Sequence, residues 1–102
     1  MIDGFKLDFT SDQLKAHCEV KSAAHREKVA RYQEQLNGLH RLQQDQPGLS
    51  NDPGTALQRQ LDSHVGRASF FDLLAGHIVP NETYRLGDSD LQRLELIDRG
   101  WF

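Results

Sequence analysis

From Ser11 to Gln46 the chain contains no proline, and Pro47 is the first of only three. Proline breaks a helix interior by removing a donor and clashing with the preceding turn, so its absence over so long a stretch leaves room for one uninterrupted helix. At 1.5 Å per residue such a helix would be about 50 Å long. A rod of that length cannot close on itself in a short chain. It must either lie against a returning segment or find cover elsewhere.

The returning segment is legible. "QPGLSNDPG" carries two Pro-Gly pairs and Asn-Asp, which reverse a chain, and a second long apolar-periodic stretch follows until "VPNET". Three places carry Ser or Thr followed three residues later by Gln: Thr10 with Gln13, Thr55 with Gln58, and Ser89 with Gln92. In a capping box the hydroxyl accepts from an orphan backbone N–H while the amide reaches back to the cap residue. These signals predict an extended arm over 1–10, helix over 11–45, turn over 46–54, helix over 55–78 and a short helix over 90–98. The arm is read from "GFKLDF", where Phe5, Leu7 and Phe9 alternate with polar residues, and only "ETYRL" around Tyr84 offers it a strand partner. The expected fold is all-α: a long antiparallel helical hairpin with an extended arm and a short C-terminal helix, in a single domain.

On the first helix Cys18, His25, Tyr32 and Leu39 recur every seven residues, flanked by Leu14, Val29 and Leu36, which makes them the core-facing stripe. The second helix answers with Leu57, Leu61, His64, Ala68, Phe71, Ala75 and Ile78. The first stripe is only partly apolar, since His17, Lys21 and Lys28 ride beside it and His25 lies on it. Near its end the second helix is apolar almost all round, with Phe70, Phe71, Leu73, Leu74 and Ile78. With 37% hydrophobic residues against 26% charged, a lone copy has little apolar surface to bury against the entropy of ordering the chain. A homo-oligomer, most simply a dimer, is therefore expected.

The ordinary roles of these polar residues are structural. A seam histidine is satisfied by one hydrogen bond, Lys21 and Lys28 lay their stems over the apolar edge, Cys18 is a small buried hydrophobe, and Tyr32 packs with its hydroxyl outward.

Most chemistry can be set aside. The histidines at 17, 25, 40, 64 and 77 include no His-x3-His pair, so no metal is expected, and a composite of His17, Cys18, His25 and His64 is not favoured. Cys18 lacks a nucleophile motif, and there is neither a Gly-rich phosphate loop nor an acidic dyad, so no catalytic residue, cofactor or enzymatic activity is expected. Twelve Lys plus Arg against fifteen Asp plus Glu leave a net charge of −3, which does not favour nucleic acid. The most apolar run, "ASFFDLLAGHIV", is broken by Asp72 and is short for a membrane span. A single cysteine and an N-terminus without a basic and apolar leader fit a cytoplasmic location.

Binding remains. His17, Lys21, His25, Arg26, Lys28 and Tyr32 supply the cations and aromatic ring that a small anionic nucleotide needs. Phe70, Tyr84, Trp101 and Phe102, rimmed by Asp88, Asp90, Glu95 and Asp98, supply a protein interface. The segments "MIDGFKLDFTSDQLKAH", "HREKVARYQEQ" and "LAGHIVPNETYRLGDSDLQRLELI" together resemble small accessory proteins of phages and prophages. That resemblance implies antagonism of host defence, either by docking on a host protein or by sequestering a nucleotide signal. Of the two, docking on a host protein is the leading expectation, ahead of a nucleotide sponge and of a purely structural oligomer.

Overall fold

In the computed structural model the described residues are 6–50 and 52–96. The order of elements is β1 (Lys6–Thr10), α1 (Ser11–Asp45), α2 (Asp52–His77), β2 (Thr83–Gly87) and α3 (Asp88–Arg93). The chain is mostly helical, with two long helices, as the proline distribution requires. It is not purely so: residues 1–5 of the expected extended arm lie outside the described residues, and the rest of it is a strand, paired antiparallel with β2 in the register Lys6 with Gly87 to Thr10 with Thr83. Alternation of Leu7 and Phe9 with polar residues suits the pleat, and Tyr84 and Leu86 continue it on the partner.

The helix starts divide the three capping signals. At α1 the box forms: Gln13 N–H donates to Thr10 Oγ1 at 3.1 Å and Thr10 N–H donates to Gln13 Oε1 at 3.0 Å. At α2 it does not, because the helix begins at Asp52 and Thr55 lies inside its first turn. The reason is Pro53, which loses no hydrogen bond in a first turn and arrives with a helical φ. Ser50 Oγ takes the Asp52 N–H at 3.1 Å. At α3 the N-cap is Gly87, without a side-chain cap bond, and the Ser89 N–H goes to Asp88 Oδ1 at 2.9 Å.

The ends follow similar logic. The Gln46 N–H closes on Leu42 O before Pro47 stops α1. α2 ends at His77, one residue before the expected Ile78. α3 stops at Arg93, short of the expected 98. Its end is a Schellman motif, with Glu95 N–H on Gln92 O, Leu96 N–H on Leu91 O, and Glu95 at φ 57° where glycine is usual. Ile97 and Asp98 of the expected third helix lie outside the described residues.

The described residues divide into two compact units, 6–19 with 71–96, and those within 20–70. In the first, β1 and β2 join to helix ends and α3, with Leu14, Cys18, Phe71, Leu91 and Leu94 buried as the core. Ser11 ties the sheet to α1, its N–H on Glu82 O at 2.9 Å and its Oγ accepting the Asn81 N–H at 3.1 Å. The second unit is a two-helix antiparallel hairpin. Its buried apolar side chains are Leu36, Leu61 and Ala68, and Ser22 and His25 are buried with them.

Candidate functional site

The seam of the hairpin is where the sequence put its odd residues. His25, only 6% exposed, places Nδ1 at 2.8 Å from Nδ1 of the half-buried His64. Two imidazole nitrogens at that distance share one hydrogen: one ring donates and the other accepts. The rings are tilted by 32° with centroids 5.0 Å apart. On its other side His64 is stacked by Tyr32, centroids 5.7 Å apart and planes 13° from parallel. Three aromatic rings from two helices thus meet at His64, one hydrogen-bonded to it and one stacked on it. His25 and Tyr32 were candidate residues. His64 was recognised on the α2 stripe without being assigned to a site, and its heptad-like placement opposite His25 is the signal that marks it.

The six residues considered for a nucleotide do not form one cluster. His17 belongs to the first unit, where its Nε2–H donates to Leu94 O at 2.6 Å, capping a carbonyl at the end of α3, and its ring meets Phe71 edge-on at 6.1 Å. Arg26 Nη1 donates to the buried Ser22 Oγ at 2.6 Å. Lys21 is half-buried and Lys28 exposed. At 100° per residue, Arg26 and Lys28 point about 160° apart around α1, with His25 between them. His17, His25, Arg26 and Tyr32 are thus engaged within the chain.

Of the interface candidates, Phe70 is half-buried under the Arg67 guanidinium, 4.9 Å from the ring centroid. Tyr84 is half-buried and its hydroxyl accepts the Val79 N–H at 2.8 Å. Trp101 and Phe102 lie outside the described residues.

Grooves open on the hairpin among the described residues. One, of about 470 Å³, has a floor of Val29, Ala30, Val65 and Ala68 and a rim of Arg26, Gln33 and Ser69. Another, of about 320 Å³, lies near the start of α2 beside Gly54 and Thr55 and is edged by His40, Arg59 and Asp62.

Cys18 is fully buried, and burial, with the charge of Glu19 added, pushes its thiol up from the ordinary range. That is the opposite of what a nucleophile or metal-binding thiolate needs. Among the described residues no group of three or more His, Cys, Asp or Glu is placed to hold a metal ion. Nor is any described helix long and apolar enough to cross a membrane. Compared with known proteins, the chain matches no family model, no curated protein and no solved structure.

Proposed function

We propose that this is a non-enzymatic binding protein that works by docking a protein partner on the helical hairpin of residues 20–70. The observation that carries the reading is the groove between α1 and α2, floored by Val29, Ala30, Val65 and Ala68. Small and β-branched side chains let another helix approach closely, and a polar rim of Arg26, Gln33 and Ser69 would fix its orientation. An amphipathic helix with a narrow apolar stripe and an acidic flank toward Arg26 is the chemistry that fits. The resemblance to phage accessory proteins makes a host protein the proposed owner of that helix.

The nucleotide reading has less support, because its cations diverge around α1 and most of its members already have partners in the chain. The test compares the two directly. Immobilised protein should retain one partner from a host lysate, and Val65→Arg, at an exposed position, should release that partner without lowering the melting midpoint. A panel of linear and cyclic nucleotides should leave the midpoint where it is. A rise at micromolar nucleotide, abolished by Lys28→Ala, would replace docking with sequestration, and a partner retained equally by Val65→Arg would remove the groove from the account.

A further inference from the structure

The two-stranded sheet leaves one side of β1 without a neighbouring strand among the described residues, and the hydrogen-bond pattern says which backbone groups face that way. Ser11 and Glu82 stand opposite each other in the ladder's register, and the Ser11 N–H bonds Glu82 O. In an antiparallel pair, hydrogen-bonded and non-bonded positions alternate. Phe9 and Leu7 therefore exchange bonds with Tyr84 and Leu86, while Thr10, Asp8 and Lys6 turn their N–H and C=O outward. Thr10 agrees independently, since its N–H goes to Gln13 and not to β2. The outward groups of Lys6 and Asp8 form a short open edge, and Lys6, Leu7 and Asp8 are all exposed, Leu7 by 39%.

We infer that this edge pairs with the same edge of a second copy, antiparallel, about a two-fold axis through Leu7. The register follows by elimination. Only outward-facing residues can exchange bonds, which leaves even offsets. Pairing Lys6 with Lys6 or Asp8 with Asp8 sets like charges face to face, which is destabilising. The remaining register sets Lys6 of each copy against Asp8 of the other and Leu7 against Leu7. It gives four backbone hydrogen bonds and two opposite-charge pairs.

Both faces of the resulting four-stranded sheet are then consistent. On one, Asp8 stands between Arg85 of its own chain, whose Nε donates to its Oδ1 at 3.0 Å, and Lys6 of the other copy. On the opposite face Leu86 and Leu7 of one copy meet Leu7 and Leu86 of the second in a continuous row. An isolated two-stranded ribbon is marginal in water, and four strands with an apolar row relieve that weakness. A strand edge carrying one lysine and one aspartate at this spacing repels most partners and accepts its own copy.

Sizing by light scattering over a range of concentrations should show a dimer. Lys6→Glu and Asp8→Lys should each weaken it at least tenfold, with unchanged helical circular dichroism, and mixing the two variants should restore dimers, because opposite charges then meet at both pairs. The register has its own readout. Leu7→Cys should cross-link rapidly under mild oxidation, since non-bonded pairs bring Cα atoms to about 4.5 Å. Lys6→Cys should not, and Cys18 is buried and gives no background. A monomer at all concentrations would overturn the inference. So would a dimer indifferent to Lys6→Glu, or cross-linking at position 6 as fast as at 7.

Discussion

The shared proton between His25 and His64 makes a quantitative prediction through a double-mutant cycle. His64→Leu removes a hydrogen bond with a net worth of about 1 kcal/mol and leaves a ring nitrogen of a 6% exposed residue facing carbon, at about 1–3 kcal/mol more. The sum is about 2–4 kcal/mol, or a fall in melting midpoint of about 10–25 °C for a chain of this size. His25→Leu should cost less, about 1 kcal/mol, because His64 is only half-buried and water can reach its freed nitrogen. The double variant should return close to the parent, since replacing both partners by apolar groups of similar size is nearly neutral. Urea titrations followed at 222 nm compare all three variants with the parent. Additive single substitutions, within about 0.5 kcal/mol, would refute the shared proton.

Other outcomes follow from single features. Thr10→Ala removes a formed capping box and should cost about 1 kcal/mol in chemical denaturation. Ser89→Ala, at a matching motif that forms no box, should stay within about 0.5 kcal/mol. Cys18 should be silent to a thiol reagent at pH 8 in the native protein and react fully in denaturant, and fast native labelling would contradict its burial. Asp8 is held below the usual carboxylate range by the hydrogen bond from Arg85 and by its charge. Its contribution is thus present above about pH 4 and is lost as pH falls through the lowered folded value. A carbon-detected NMR titration should place the Asp8 midpoint below that of a free aspartate, and Arg85→Ala should bring it back.

What the sequence disclosed depended on how local the determinant was. The length of α1 follows from missing prolines, and its seam from a heptad of Cys18, His25 and Tyr32, so both were readable. The motif at Thr10 is a true cap because a strand ends there. The same spelling at Thr55 fails because Pro53 and Ser50, a few residues upstream, begin the helix earlier. At Ser89 it fails because the helix already starts at Asp88, whose Oδ1 takes the Ser89 N–H that the Gln92 amide was expected to reach. The β1–β2 pairing joins residues far apart in the chain, and alternation around Phe9 and Tyr84 could suggest a partner without deciding it. Most opaque was the candidate site itself. Lys, Arg, His and Tyr within a few turns look convergent when written in a line, but at 100° per residue Arg26 and Lys28 leave α1 on opposite flanks.

A seam that spends its central position on two histidines, where leucine would bury more apolar surface, invites a reason beyond stability. Sliding one helix by a turn, about 5.4 Å, would set His25 against Leu61 or Ala68 in place of His64. An apolar seam tolerates such a slip, because leucine packs on leucine in either register. A nitrogen pair does not, since only one alignment gives each Nδ1 its partner at 2.8 Å. Polar pairs that fix register at some cost in stability are known from coiled coils, and the hypothesis here is that His25 and His64 do the same for this hairpin. The double leucine variant, nearly as stable as the parent, should then lose uniqueness. Its amide spectrum should contain more than one set of signals for residues 20–70, and hydrogen exchange along Tyr32 to Leu36 should accelerate. A single sharp set with parental protection would mean that register is fixed elsewhere, by the turn at Pro47 and Pro53, and that the histidines are there for their proton alone.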